Sequence, residues 1–468
     1  MRRARRQFRA TRLRAISCAA IFGVVLGGAR SEEPRGPTPE QRFFDWTRLR
    51  FSPQQYETRR DGLVAALRAA GGGVFLTPSR VGRSGGGTFR QLDDFLYFTG
   101  LELPDSILAI DADAKHAVLF TPRRDARFES AARPNDFPGR PLGADPAMAK
   151  VSGIDDIRPA ETLKNAIKTW TESGRVIWID TGRRGDVKPR AAGPFPSPNA
   201  VDVLISYLHV LHSDLELENA FEHVARLRMI KSPEEIAVIR RACTITVGAI
   251  VHAAGHVRDG VDERMLEGEL EAAFKRGGAP RVAFDSIIKS GPNSLWPWRI
   301  LASHYERRNR TMHDGELVIF DVGCELNHYA SDMGRTFPIS GRFTREQRDI
   351  LEMVTAVADT MIAAIRPGVT LADVQAAGVA AIPADHRKYM QTGHYFGHHI
   401  GLSVGDSSLD DAVLRPGMVF TVEPWYYNHD KDIAVFIEDD VLVTSTGVEN
   451  LTKDLPRTPD ALERMTGN

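Results

Sequence analysis

The sequence has few cysteines, no long hydrophobic run and almost no net charge, and each absence excludes a class of protein. Only three of its 468 residues are cysteine, too few for a framework of disulfide bonds. Cys243 and Cys324 lie in segments typical of a buried helix and a buried strand, where free cysteine behaves as a small hydrophobic residue; a single bridge between them is the alternative. Hydrophobic residues make up 42% and charged residues 26% of the chain, which excludes disorder and a fibrous architecture.

The charge is unevenly distributed along the chain. Seven arginines occur in the first fourteen residues, and no acidic residue precedes Glu32. Removing those arginines changes the formal net charge from −1 to about −8, and so mildly acidic a body gives no reason to expect nucleic acid as a partner. An apolar run over residues 15–28 follows the basic stretch. This order is typical of a secretory signal peptide, and the run is shorter than the roughly twenty residues of a membrane span.

The leader therefore predicts an exported protein, periplasmic or secreted, with no stable membrane span after the signal is removed. The small residues Gly27, Gly28 and Ala29 place cleavage near Ala29, which gives a signal peptide over residues 1–29. An uncleaved N-terminal anchor is the alternative. The pair Arg5-Arg6 loosely resembles a twin-arginine export signal, which suits a protein that folds before export.

The rest of the chain has room for two or three domains. Residues 30–45 are polar and rich in proline, which predicts a linker. Over residues 46–222, predicted helices and strands interleave, which indicates one mixed α/β domain. Its glycine-rich segment at residues 82–87 lacks the terminal Gly-Lys-Ser/Thr of a phosphate-binding loop, so we predict a flexible loop there.

The second domain, residues 223–468, begins with helices and then becomes rich in strands. Ser232, Pro233 and Glu235 have the spacing of an N-cap with a capping box, and a further helix is predicted from about Glu263 to Arg276. Two pairs of strands follow, at 317–321 with 329–337 and at 418–427 with 432–443, and a helix at 344–365 lies between the pairs. This pattern predicts an α+β fold in which antiparallel pairs form a curved sheet flanked by helices.

Four acidic residues lie inside apolar strand-like segments: Asp321, Asp332, Glu423 and Glu438. A buried carboxylate is costly unless it is paired, and an ion pair with a nearby arginine, such as Arg335, would account for one of them. Four carboxylates on paired strands would repel one another strongly. Two divalent metal ions, bridged by a carboxylate, are the economical solution. The eleven-residue separation of Asp321 and Asp332 fits a hairpin that brings both side chains into one pocket.

A nitrogen ligand is predicted at His398. Three histidines, His394, His398 and His399, crowd into six residues between flanking glycines. A lone histidine is more often structural, but this crowding favours a site. Four carboxylates and one imidazole are mostly hard ligands, which suits Mn²⁺; Zn²⁺, Co²⁺ and Fe²⁺ stay open.

The order of these five residues, with the sequence around each, resembles the creatinase/aminopeptidase P family of "pita-bread" metallopeptidases. The similarity is carried by Phe-Asp-Val-Gly, Ser-Asp-Met-Gly-Arg-Thr-Phe, Gly-His-His-Ile-Gly-Leu, Thr-Val-Glu-Pro and Ile-Glu-Asp-Asp-Val, and it extends over nearly all of residues 225–455. Residues 89–100 resemble the N-terminal signature of aminopeptidase P and prolidase. Methionine aminopeptidases usually lack this domain and creatinases do not keep the metal ligands, so the resemblance points to the aminopeptidase P and prolidase branch.

The resemblance implies a fold, a chemistry and a role for each residue. The fold would be a pita-bread catalytic domain preceded by a mixed α/β creatinase-like domain. His398 and Glu423 would hold one metal ion, Asp321 the other, and Asp332 and Glu438 would bridge both. A hydroxide between the metals would attack the scissile carbonyl, and Glu423 would relay the proton. Two histidines are implied to face the substrate beside the metals, His304 and His394.

The implied substrate is a peptide with proline at its second position, and the implied assembly is a homo-oligomer, by analogy with relatives. Three departures from the family pattern matter. Gly405 replaces a histidine thought to steady the substrate carbonyl, and losing one such donor costs about 10²–10³ in rate. Phe436 replaces an arginine that normally pairs with a ligand aspartate. An insert at residues 294–301 separates Asn293 from His304.

The sequence therefore predicts an Xaa-Pro aminopeptidase with two divalent metal ions, and two alternatives stay open. One is a prolidase-type dipeptidase. The other is a catalytically weakened, metal-binding family member that binds peptides without efficient turnover. Gly405 and Phe436 keep the second alternative open, because groups around metal ligands commonly change metal affinity by about 10–100-fold.

Overall fold

The structure is a computed structural model that describes residues 51–82, 89–122, 146–183, 186–188, 199–296 and 309–466. The predictions for the signal peptide, the linker, most of the glycine-rich segment and His304 concern residues outside these ranges.

The first domain is built on a mixed six-stranded sheet with strand order β4-β3-β2-β1-β5-β6. The β1–β2 and β2–β3 pairs are antiparallel, and the β1–β5, β3–β4 and β5–β6 pairs are parallel. The predicted mixed α/β domain is thereby confirmed. Its elements are α1 (Pro53–Ala69), β1 (Val74–Pro78), α2 (Asp93–Thr99), β2 (Ile107–Asp111), β3 (His116–Thr121), α3 (Pro146–Ser152), β4 (Asp156–Pro159), α4 (Leu163–Glu172), β5 (Ile177–Ile179), α5 (Ala200–Leu211) and β6 (Leu217–Asn219).

Three helices lead into the second domain: α6 (Phe221–Met229), α7 (Pro233–Ala254) and α8 (Glu263–Arg276). The capping box predicted for α7 is present, because Ser232 Oγ accepts from the Glu235 amide at 3.2 Å and Glu235 Oε2 accepts from the Ser232 amide at 2.8 Å. By length and composition alone α7 is apolar enough to cross a membrane, but its buried face belongs to the protein core. The predicted division at residues 222 and 223 falls within α6 and stays a prediction.

Both predicted strand pairs are present, and both are divided into shorter strands. In the first pair β9 lies antiparallel to β12, and β10 and β11 form its tip, where Asn327 and His328 have positive φ angles of 50° and 71°. In the second pair β13 lies against β16 and β14 against β15. The strands are β9 (Leu317–Val322), β10 (Cys324–Leu326), β11 (Tyr329–Ala330), β12 (Met333–Pro338), β13 (Val419–Val422), β14 (Trp425–Asn428), β15 (Ile433–Phe436) and β16 (Asp439–Val443).

Shorter strands and helices complete the second domain. Strand β8 extends the β9–β12 pair, β17 extends the β13–β16 pair, and β7 pairs with β10. An isolated bridge between Gly334 and Glu438 joins the two strand pairs. The remaining elements are β7 (Arg281–Val282), β8 (Ile287–Ser290), α9 (Arg345–Ala364), α10 (Leu371–Ala381), β17 (Val448–Asn450) and α11 (Pro459–Glu463).

The divisions correct one prediction. Of the four acidic residues expected inside strands, only Asp321 lies within one, in β9. Asp332, Glu423 and Glu438 each lie in a short gap between two strands. In a continuous strand, successive side chains point to opposite faces of the sheet. In a gap between strands, the backbone does not follow this alternation, so a side chain can point in another direction. The gaps therefore let carboxylates from different strands point into one site.

Cys243 on α7 and Cys324 on β10 are both buried and form no disulfide. The prediction that they are free cysteines is confirmed. Burial and the neighbouring carboxylate of Asp440 raise the pKa of the Cys243 thiol well above its usual value, so this cysteine is a neutral part of the core.

Buried ion pairs join the two domains. Arg228 on α6 donates to Asp94 at 2.8 Å and to Asp93 at 3.1 Å, both on α2, and it also pairs with Asp406 of the second domain. Arg59 of α1 lies 3.2 Å from Glu235 at the start of α7. A buried charge that loses its partner is strongly destabilising, so these contacts fix the first domain against the chain that follows His398.

Candidate metal centre

The five predicted ligands, here the metal-ligand cluster, converge from separate parts of the second domain. His398 Nε2 lies 3.4 Å from Asp332 Oδ2 and 3.5 Å from Glu423 Oε1. Asp332, His398 and Glu438 each offer a ligand atom within 4.8 Å of the others. Burial, and then the negative charges of Asp332 and Glu423, raise the pKa of Asp321, which places Asp321 in the same group. Asp321, Asp332 and Glu438 have exposures of 5%, 3% and 0%, whereas the His398 side chain is 37% exposed, so the cluster is buried on the side of these three carboxylates and open at His398.

Local backbone contacts place His398 beside Glu423. The chain around His398 runs along β13, where the His398 amide donates to Thr421 Oγ1 at 3.1 Å and the Thr421 amide donates to the His398 carbonyl at 2.9 Å. The Glu423 amide donates to the Phe396 carbonyl at 3.0 Å. Thr421 Oγ1 in turn donates to Glu423 Oε1 at 3.3 Å. The glycine-flanked histidine segment is thus held as an additional strand-like edge of the sheet.

Burial and mutual repulsion make this cluster unable to hold all its negative charges alone. Burial, and then the charges of neighbouring carboxylates, raise the pKa values of Asp321 and Glu438 well above their usual range. Burial also raises the pKa of Asp332, and it raises that of Glu423 to about 7. Burial lowers the pKa of His398, but the hydrogen bond to Asp332 and the charges of Glu423 and Asp332 raise it to about 10. The cluster therefore attracts positive charge.

The donor atoms fit divalent metal ions. Asp332 Oδ1 and both carboxylate oxygens of Glu438 are buried without a hydrogen-bond partner among the described residues, and such atoms are costly to bury unsatisfied. Within the same part of the chain, the only ion pairs of the four carboxylates are those with His398. Arg335, the alternative partner, pairs instead with Asp439 at 2.8 Å. Hard carboxylate oxygens with one imidazole suit ions such as Mn²⁺ or Zn²⁺.

A second group with metal-binding geometry lies on the surface and is less suited to a cation. His252, His256 and Glu269 offer ligand atoms within 4.8 Å of one another. The guanidinium of Arg276, however, lies 3.1 Å from His252 Nε2, where its positive charge opposes a bound cation.

Several residues around the cluster were not identified from the sequence. Asp440 is fully buried, accepts from the Asp332 amide at 3.0 Å and accepts from the Cys243 thiol at 3.3 Å. Trp425 Nε1 donates to Glu423 Oε2 at 3.2 Å. The signal for Asp440 was present in the sequence, because a run of three acidic residues, 438–440, is unusual in a buried strand.

A cavity of about 150 Å³ opens beside Glu423. His394 lies on it, and its side chain is exposed. The substrate-facing role of His394 stays a prediction. His304, the other predicted substrate-facing histidine, lies outside the described residues. Among the described residues, the lining is Gln391, His394, Tyr395, Phe396, Gly397, Glu423, Trp425 and Tyr427. Aromatic walls with a few polar groups are typical of a site for a small organic ligand.

The three departures have distinct surroundings. Gly405 is exposed, and a Cβ atom added there would meet no atom within 4 Å. Phe436 is fully buried and stacks on Trp425, with ring centroids 3.6 Å apart.

Within the insert at 294–301, Trp296 is 45% exposed and its ring lies 4.6 Å from that of His429. His399, a potential substitute for the missing histidine, is instead buried against Phe420.

The raised pKa of Glu423 predicts that metal ions stabilise the protein more at high pH than at low pH. Its carboxyl titrates near 7 when folded, against an ordinary value of 4.5. The metal-free protein therefore loses stability from this group as the pH rises from 4.5 through about 7. Metal binding requires the deprotonated carboxylate, so Mn²⁺ should raise Tm more at about pH 8 than at about pH 5.5. Thermal melting of chelator-treated protein, with and without Mn²⁺, measures this, and equal increments at both pH values would contradict it.

Fold and site together are those of a metal-dependent hydrolase, and comparison with known proteins gives its family. The sequence model of a protein family, described as metallopeptidase family M24, matches residues 237–445. A second family model, described as the aminopeptidase P N-terminal domain, matches residues 56–178. The Xaa-Pro aminopeptidase of Escherichia coli is 31% identical over an alignment of 459 residues. The alignment covers 89% of this chain and 98% of that protein. The Xaa-Pro dipeptidase of Pyrococcus furiosus is 35% identical over 246 residues, covering 51% of this chain and 67% of that protein.

Solved structures agree with this assignment. Zn-substituted E. coli aminopeptidase P in complex with product has a TM-score of 0.73 at 29% identity, covering 89% of this chain and 98% of that one. Proline aminopeptidase P II from Yersinia pestis has a TM-score of 0.72 at 28% identity, covering 89% and 99%. The chain belongs to the metallopeptidase family M24. The predicted pita-bread fold, with its creatinase-like first domain, is confirmed.

Proposed function

We propose that the protein is an Xaa-Pro aminopeptidase, which removes the first residue of a peptide whose second residue is proline. The observation that carries the proposal is the position of Glu423, which belongs both to the metal-ligand cluster and to the wall of the aromatic cavity. A peptide bond held in that cavity would lie beside the cluster. The similarity to the E. coli Xaa-Pro aminopeptidase spans both domains, which favours an aminopeptidase over a dipeptidase.

Each residue has a definite task in this proposal. Asp321, Asp332, His398, Glu423 and Glu438 would hold two divalent ions, which we propose to be Mn²⁺ because oxygen donors predominate. When bound, the ions would lower the pKa of a water molecule and polarise the scissile carbonyl. Glu423, which belongs to both the cluster and the cavity wall, would accept a proton from the attacking water and return it to the leaving amine. His394, exposed on the cavity wall, would orient the substrate.

Two further assignments rest on the sequence alone. The basic leader with its apolar run supports export to the periplasm or outside the cell. Analogy with relatives supports a homo-oligomer. Size-exclusion chromatography with light scattering, and sequencing of the mature N-terminus, would test these assignments.

The expected activity is release of the first residue from Xaa-Pro-Yaa tripeptides by Mn²⁺-loaded protein, with much slower hydrolysis of Xaa-Pro dipeptides. An Xaa-Ala-Yaa tripeptide is the matched control and should stay intact. Chromatographic detection of the released amino acid measures all three. Cleavage of the dipeptide alone would instead identify a prolidase-type dipeptidase. No cleavage with Mn²⁺, Co²⁺, Zn²⁺ or Fe²⁺, in protein that binds two ions, would identify a weakened peptide-binding member.

A further inference from the structure

Phe436 is one of the three departures from the family pattern named above, and its side-chain contacts are aromatic and apolar. Phe436 is fully buried in β15, opposite Trp425 of β14 in the register of the two strands. The two rings are stacked, with centroids 3.6 Å apart and planes 19° apart. Trp425 is itself only 6% exposed. An apolar aromatic stack therefore lies beside the metal-ligand cluster.

The backbone and the ring of Phe436 are both held by close contacts with β12. The Phe436 amide donates to Thr336 Oγ1 at 2.8 Å, and this hydroxyl donates back to the Phe436 carbonyl at 2.9 Å. Behind the ring lies Gly334, where an added Cβ atom would be only 1.9 Å from Phe436 Cε1. The ring thus fills space that only glycine leaves open, and it forms a rigid surface for the indole of Trp425.

The indole fixed in this way reaches the metal-ligand cluster. Trp425 Nε1 donates to Glu423 Oε2 at 3.2 Å, while Thr421 Oγ1 donates to Glu423 Oε1 at 3.3 Å. The indole also lies nearly parallel to the ring of Tyr427, with centroids 5.4 Å apart and an angle of 8°. Each carboxylate oxygen of Glu423 therefore accepts a hydrogen bond from a held donor. A phenylalanine cannot pair with a carboxylate, but it can hold the tryptophan that does.

We propose that Trp425 is a positioning residue of the metal centre: its indole N–H orients the carboxylate of Glu423, and Phe436 holds the indole in place. Groups that orient a metal ligand commonly contribute about 10–100-fold to metal affinity. The effect on turnover rests on the proposed function. The effect on metal affinity does not, because it is measured on the protein without substrate.

The test replaces Trp425 with phenylalanine in the full chain, which keeps a stacked aromatic ring and removes the N–H. Trp178→Phe is the matched control, since Trp178 is also buried and its Nε1 donates to the Gly72 carbonyl at 2.8 Å in the first domain. Both proteins are stripped with chelator and titrated with Mn²⁺ by calorimetry and with Co²⁺ by visible absorption. Trp425→Phe should weaken metal binding by about tenfold or more, and Trp178→Phe should leave it unchanged.

In active enzyme the same variant should lower kcat even at saturating metal, because Trp425 acts through Glu423. KM should rise as well, because Trp425 also lines the proposed substrate cavity. Phe436→Leu keeps the indole but removes the stacked ring, and it should weaken metal binding by a smaller factor. Equal metal affinity in Trp425→Phe and Trp178→Phe would overturn the proposal, whatever their melting temperatures. An unchanged affinity in Phe436→Leu would overturn the role of Phe436. A selective loss of metal affinity in protein inactive on every Xaa-Pro peptide would support the positioning role and reject the proposed function.

Discussion

Replacing Asp332 with asparagine is expected to lower kcat/KM about 10³-fold or more. Asp332 lies 3.4 Å from His398, and one of its oxygens is buried without a partner among the described residues. Asparagine keeps the shape but removes the charge that would bridge two ions. Metal ions contribute several kcal/mol of transition-state stabilisation in such sites, which corresponds to about 10³ in rate. Peptide hydrolysis and metal content after dialysis measure the loss together.

The metal-free form of Asp332→Asn should change in the opposite direction. Burial raises the pKa of Asp332, and its charge in turn raises those of Asp321 and Glu438. Removing one of these crowded charges relieves repulsion, so Tm of the metal-free variant should rise by about 2 °C or more above pH 7. Added Mn²⁺ should then raise its Tm far less than that of the parent.

Glu325→Gln is the matched control for loss of a buried carboxylate charge. Glu325 lies in the same hairpin, at 3% exposure, but it pairs with Arg90 at 2.6 Å and with Arg281. Its loss should lower Tm, because two arginines lose their partner, and should leave metal content unchanged. A stable Asp332→Asn protein that retains two ions and full activity would show that Asp332 is not a ligand.

The metal-ligand cluster was predictable because its chemistry conflicts with its local sequence. Carboxylates are rarely buried unless they are paired, so Asp321 within Leu-Val-Ile-Phe-Asp and Glu423 within Val-Phe-Thr-Val-Glu were conspicuous. The start of α7 was predictable for a similar reason, since Ser232 and Glu235 satisfy backbone groups three residues apart. Both signals are local in the sequence, and neither depends on tertiary contacts.

Contacts between distant residues could not be predicted in this way. Trp425 reaches Glu423 from two residues away, but its position is fixed by Phe436 of the neighbouring strand and by the space at Gly334. The gaps that divide the strands also escaped prediction, because Met333 after Asp332 and Ile437 before Glu438 continue the apolar pattern of a strand. Their position follows from the bridge between Gly334 and Glu438, which is a tertiary contact.

The loop that follows His398 is anchored from both domains. Asp406 pairs with Arg228 and lies 3.2 Å from Lys231 Nζ, and its amide donates to the His399 carbonyl at 2.8 Å. Arg228 in turn pairs with Asp93 and Asp94 of the first domain. These buried contacts hold the backbone immediately after Gly405. A histidine placed at residue 405 would therefore project from a rigid segment, which is the condition for an effective catalytic donor.

Restoring that histidine with Gly405→His is expected to raise kcat about tenfold or more, with little change in KM. Gly405 is exposed and an added Cβ atom meets nothing within 4 Å, so the fold should accept the side chain. One well-placed donor to the developing charge is worth about 10²–10³ in rate. We expect only part of this gain, because Phe436 is a second departure from the family pattern beside the metal ligands. Steady-state kinetics on an Xaa-Pro-Yaa peptide measure the gain.

Gly405→Ala is the control for Gly405→His, because it adds the Cβ atom and the same backbone restriction without an imidazole. Its kcat should stay within about twofold of the parent, since no donor has been added. If Gly405→His gains nothing over Gly405→Ala, another group already serves the substrate carbonyl, and His394 on the cavity wall is then the residue to replace. His399 is the weaker alternative, because it is buried and burial lowers its pKa to about 3, which leaves a neutral ring behind the cluster.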